Sequence, residues 1–167
     1  MIDKSEKIDL YRDTSVRYLG YANEVGEAFR PLIPKSIVWL SYIISSGYVL
    51  ADTMDKGYRV YKIDQSPQKT KRVVLSTTDT LLWQSFASVI IPGLTINRIC
   101  MLVQYAQKRT SSLGLKNPWI PTIIGLVSIP FIIHPIDYAV EETMNVTYRK
   151  WIGHYSKLES NKFEDDK

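Results

Sequence analysis

TLLWQSFASVIIPGLTIN, Thr80 to Asn97, runs without a charged residue and is closed by Asp79 at one end and Arg98 at the other. As an α-helix rising about 1.5 Å per residue it spans about 27 Å, close to the roughly 30 Å hydrocarbon core of a bilayer. A surface helix of that length in a soluble protein shows charge on its wet face at every turn, and this one shows none. Two more windows lie outward of it. Ser36 to Ala51 (SIVWLSYIISSGYVLA) is uncharged and extends back to Leu32 if Lys35 carries its ammonium to the headgroups. Asn117 to Ile136 (NPWIPTIIGLVSIPFIIHPI) runs between Lys116 and Asp137, with His134 as its only ionisable group. Trp39, Tyr48, Trp83, Trp119 and Tyr138 stand near the window ends, where an interfacial belt places aromatics.

These windows predict an all-α fold, a small multi-pass membrane bundle of three transmembrane helices at about 32–51, 80–97 and 117–136. The domain is expected over residues 13–147, with a tail at 1–12 and a polar tail at 148–167. Each window holds an Ile-Pro pair. Pro92-Gly93 and Pro130 predict kinks, whereas Pro34 and Pro121 fit first helical turns. Ahead of the first window, Asp13 to Arg30 (DTSVRYLGYANEVGEAFR) reads as an amphipathic helix capped by Asp13. Leu19, Ala22, Val25, Gly26 and Phe29 form its packing face, and Arg17, Glu24 and Glu27 lie elsewhere on the wheel as a partner-facing set.

The connections are polar. Asp52 to Asp79 carries six basic and four acidic residues around a Ser66-Pro67 break, and Arg98 to Lys116 carries four basic and no acidic ones. Three spans place the two termini on opposite sides. The two sides then carry ten and eleven basic residues, a tie that gives the positive-inside rule nothing to act on.

Bulk composition is ordinary for a soluble protein: 45% apolar, 21 basic against 17 acidic residues and a net charge of +4. The basic excess is dispersed and has no reader motif beside it, so no nucleic-acid partner is expected. Lys69, Lys71, Arg72, Lys108 and Arg109 are the candidates for lipid headgroups, with anionic lipid such as cardiolipin as the ligand. Cys100 is the only cysteine and His134 and His154 the only histidines, which leaves no zinc set, no CxxC pair and no nucleophilic triad. Phosphate-cradling GxGxxG and GxxxxGK[ST] motifs are absent, so the expectation is a protein without cofactor, metal or catalytic residue. Arg98 and Asp137 border apolar windows, where an ion pair between the second and third helices would lower the cost of placing either near hydrocarbon.

LYRDTSVRYLGYANEVGEAFRPLIP (Leu10 to Pro34), YVLADTMDKG (Tyr48 to Gly57), DTLLWQSFASVIIPGLTINRIC (Asp79 to Cys100) and IPFIIHPID (Ile129 to Asp137) resemble, in order and spacing, the mitochondrial fission process protein family, also called the mitochondrial 18 kDa protein family. The resemblance implies a multi-pass protein of the mitochondrial inner membrane that promotes or regulates division and membrane integrity. It also implies inner-membrane lipids and proteins of the division machinery as partners. An acidic N-terminus fits import by internal signals. The alternative is a small transporter or proton-leak component, with His134 as the intramembrane group a proton path would use. Against a mitochondrial carrier, Pro135-Ile136-Asp137 opens that family's signature but Val140 stands where its basic residue belongs.

Overall fold

The computed structural model describes residues 15–109 and 117–153, and they are helical throughout apart from short turns. The expected Asp13 cap, the tail at 1–12 and most of the C-terminal tail lie outside the described residues. A 3-10 helix, Ser15–Tyr21, leads into α1, Ala22–Phe29. Pro34, extended at φ −61° and ψ 148°, ends the turn after α1 and starts α2, Lys35–Ile63. Proline there sets the backbone direction and loses no helical hydrogen bond.

Helix α3, Lys69–Gln84, continues through a π-helical segment, Ser85–Ile90, into α4, Ile91–Arg109. Pro92 is the physical cause of that segment. Its ring collides with the carbonyl four residues back and it offers no N–H, so the turns before it widen to five-residue spacing. The expected kink at Pro92-Gly93 is therefore taken up as a π segment upstream. Helix α5, Trp119–Met144, carries Pro130 and Pro135 in its interior and runs on through a second π segment, Asn145–Arg149, to Gly153.

Three of these helices are long and apolar enough to cross a membrane: Lys35–Ile63, Lys69–Arg109 and Trp119–Gly153. They outrun the uncharged windows. The polar stretch from Asp52 to Asp79 is helix except for a short turn at residues 64–68, so α2 and α3 form a hairpin that reaches beyond the apolar zone. The C-terminal helix likewise continues past residue 148, where the sequence suggested a polar tail.

Burial is distributed as a lipid-facing bundle requires. Two small apolar clusters sit inside, Ala28 with Ile96 and Cys100, and Ala87 with Val140 and Met144. The large apolar side chains point outward: Trp39 is 70% exposed, Leu102 67% and Phe131 74%. Water would penalise so much contiguous apolar surface, and hydrocarbon would not.

Candidate functional site

Helix α1 is wedged between α2, α4 and α5. Its glycine and its neighbours' glycines permit the close approach. A Cβ on Gly26 would lie 2.0 Å from Ser41 Oγ, and one on Gly125 would lie 3.0 Å from Ala28 Cβ and 2.8 Å from Cys100 Sγ. The contacts fix its direction. Gly20 meets Tyr48, whereas Gly26 meets Ser41 and Val38, so the N-terminal segment runs antiparallel to α2. Asn23 donates to the Val89 carbonyl at 2.9 Å and Glu27 receives Asn97, so it runs parallel to α4. All these partners fall inside the uncharged windows, which puts α1 at the same level as the apolar parts of the long helices.

The buried face of α1 is the polar one. Asn23, Glu24, Gly26, Glu27 and Ala28 point inward, while Tyr18, Leu19 and Val25 are exposed. The sequence wheel sets Glu24 and Glu27 apart as a partner-facing set. The structure turns them into the bundle, because around an apolar exterior the polar face has to be inside. The side chain of Arg17 is outside what is described.

Glu27 anchors one end of a polar seam. Its Oε2 accepts from Arg30 Nε at 2.6 Å and Asn97 Nδ2 at 2.8 Å, and its Oε1 accepts from Arg30 Nη2 at 2.5 Å and the Tyr42 hydroxyl at 3.0 Å. With Trp39 and Leu94 this cluster lines a cleft of about 330 Å³. At the other end Asp52, fully buried, accepts from Gln84 Nε2 at 2.5 Å and Lys56 Nζ at 2.9 Å, and Ser88 donates to Gln84 Oε1 at 2.8 Å. Between the two ends lie Asn23 and Glu24. Gly93 makes room there, since a Cβ on it would lie 2.9 Å from Asn23 Nδ2 and 2.6 Å from the Tyr42 oxygen. Glu24 has neither carboxylate oxygen hydrogen-bonded, and Asp137 of α5 bears on it electrostatically with the same sign.

Arg98 and Asp137 do not pair. Arg98 is exposed with its guanidinium 4.0 Å from Met101 Sδ, while Asp137 is the residue whose charge acts on Glu24. Among the described residues the second and third long helices are linked instead by an ion pair of Arg149 with Asp79, at 2.7 and 2.9 Å, and Arg149 also reaches Glu141. His134 is exposed on α5, apart from the seam.

The five headgroup candidates divide. Lys69 stacks over Tyr61 at 3.5 Å and Arg72 lies 3.6 Å from Asp64, at the tip of the α2–α3 hairpin with Lys71 beside them. That tip is about ten residues, or about 15 Å, past the apolar window. Lys108 lines a cleft of about 450 Å³ with Pro31, Gln104, Gln107 and Pro118, and Arg109 stacks over Tyr105 at 4.9 Å. The two sets sit at opposite ends of one long helix, Lys69–Arg109.

Sequence reasoning missed Asn23, Tyr42, Asp52, Gln84 and Asn97. Their signal was the presence of amide, phenol and carboxyl groups in or at the edge of otherwise apolar windows, which a membrane bundle turns inward. Among the described residues no group of three or more His, Cys, Asp or Glu stands close enough to hold a metal ion.

Residues 6–144 match the family model described as Mitochondrial 18 KDa protein (MTP18). The chain is 48% identical over 152 residues to "Mitochondrial fission process protein 1" of Caenorhabditis elegans, covering 89% of this chain and 92% of that one. It is 50% identical over 145 residues to the Homo sapiens protein of the same name, covering 85% and 87%. The Danio rerio protein of that name is 47% identical over 148 residues, covering 87% and 90%. No solved structure matches.

Proposed function

We propose, from the premise that this chain belongs to the mitochondrial 18 kDa protein family, that it acts in mitochondrial fission as a multi-pass, non-enzymatic protein of the inner membrane and helps maintain that membrane's integrity. The observation that carries this is near-full-length identity of about half with relatives named for mitochondrial fission. The long helices with outward apolar side chains support membrane insertion. Depleting the protein from its own cells is expected to lengthen the mitochondrial network, and re-expression to restore it. An unchanged network on full depletion would sink the reading.

The membrane arrangement has three passages, by α2, by α3 continued into α4, and by α5, with α1 packed against them. Three passages put the two ends of the chain in opposite compartments. Protease protection on mitochondria and mitoplasts, with a tag at each end, is expected to show the two tags cleaved at different stages. Cleavage of both tags at the same stage would overturn three passages.

The partners remain those the sequence suggested: inner-membrane lipids and proteins of the division machinery. For anionic lipid, including cardiolipin, the Lys108 cleft is the better placed of the two basic sets, because it lies where α1, α4 and α5 end together.

A further inference from the structure

We propose that Glu24 is a proton-binding site in the core of the bundle, holding its proton while α1 is docked among α2, α4 and α5 and releasing it when α1 separates from them. Three observations converge on it. Glu24 is fully buried, and among the described residues neither carboxylate oxygen has a hydrogen-bond partner and no ion pair includes it. A charged, unpaired carboxylate in such surroundings costs several kcal/mol on the order-of-magnitude scale for buried ions, so the neutral acid is the form the site accommodates.

Its own backbone N–H favours the charged form, but burial outweighs that and the neighbouring helices supply no cation to it among the described residues. From α5 it faces Asp137, a second carboxyl that disfavours a second negative charge. From α2 it faces Tyr42, whose hydroxyl is committed to Glu27. On α1 itself the Glu27 carboxylate is one turn away and already neutralised by Arg30. The Val89 carbonyl and Gly93 pack against Asn23, the residue before Glu24. Glu24 lines neither of the two described clefts, and a proton needs no cavity to be held there. Release is a simple transfer: the O–H bond breaks, its electron pair stays on the carboxylate, and the proton goes to water admitted when α1 leaves.

The sign of the pH effect follows. An unfolded glutamate ionises near about pH 4.3, so above that value the folded bundle binds one more proton than the unfolded chain. Stability then falls as pH rises, by about tenfold in the folding equilibrium per pH unit, until the docked carboxyl itself ionises.

The test uses the full chain in bilayer discs. Infrared spectra at neutral pH are expected to show a carboxylic acid C=O band that is lost in Glu24→Gln and that disappears at lower pH in Asp137→Asn. Glu24→Gln, which mimics the neutral acid, is expected to keep the bundle's stability at neutral pH and to flatten its decline toward alkaline pH by that tenfold per unit. Absence of the acid band at neutral pH, its survival in Glu24→Gln, or an unchanged pH slope in that variant would each overturn the proposal. If Glu24→Gln fails to assemble, the wild-type band and its response to Asp137→Asn decide. None of these outcomes bears on the family assignment or on fission.

Discussion

Glu24 and Glu27 stand one turn apart on the same buried face of α1, and their surroundings are opposite. Glu27 collects four donors from Arg30, Tyr42 and Asn97. Glu24 collects none. The difference comes from the neighbouring helices. At Glu27, α2 and α4 supply a phenol and an amide and the cleft beside it admits Arg30, whereas Glu24 receives no hydrogen bond among the described residues and α5 brings a second acid within electrostatic reach. One helix thus keeps one carboxyl as a compensated charge that fixes its position and one as an uncompensated group that answers to pH.

The comparison breaks most visibly at Glu27. Glu27→Ala strands the Tyr42 and Asn97 donors and the Arg30 cation. A fully buried broken pair costs about 3–5 kcal/mol, and because Arg30 is 37% exposed we expect about 2–4 kcal/mol here, measured by unfolding in mixed micelles. A variant as stable as the parent would show that the cluster does not anchor α1. Gly26→Val comes next. It forces a Cβ to within 2.0 Å of Ser41 Oγ and should push α1 off α2. The expected loss is about 1–3 kcal/mol, and α1 amides should exchange faster than those of α4.

A smaller effect is expected where charges are compensated outside the seam. Arg149 and Asp79 are each about a third exposed, so a double-mutant cycle should return about 0.5–1 kcal/mol, and less at high salt. A coupling of several kcal/mol would mean that the pair, not the Glu27 cluster, clamps the bundle. The smallest effect is in the α2–α3 turn. There the Ser66 backbone N–H donates to Asp64 Oδ1 at 2.8 Å and holds that carboxyl below its ordinary value. Its folded value being depressed, the contribution is present above the unfolded value and is lost as pH falls through the folded one. Ser66 amide exchange should lose protection only in acid, and Asp64→Ala should remove that protection at neutral pH with global stability unchanged.

Much of the fold was legible in the sequence. The uncharged windows located the apolar parts of α2, α4 and α5, and the long stretch from Leu10 to Pro34 carried the family resemblance that the comparisons bear out. The helix ends were less legible. Charged residues such as Asp52, Lys56 and Arg59 mark where a helix leaves the apolar zone and not where it stops, so the α2–α3 hairpin looked like a loop. The candidate site was mostly illegible. Glu24 and Glu27 were visible as a polar face, but a wheel identifies faces without saying which one is inside. Arg98 and Asp137 both border apolar windows, but α4 and α5 run antiparallel, with Cys100 at Gly125 and Ala87 at Val140 and Met144, so the two residues lie at different depths.

What the sequence determined by itself is therefore where charge is absent, because a run of uncharged residues commits its segment to helix and to an apolar exterior in any packing. What only the tertiary structure decided is the direction of α1's polar face and the partners that meet it. Those partners, such as Asn97 for Glu27, lie as far as 70 residues away in the chain, and only the mutual depth and rotation of the packed helices brings them within reach.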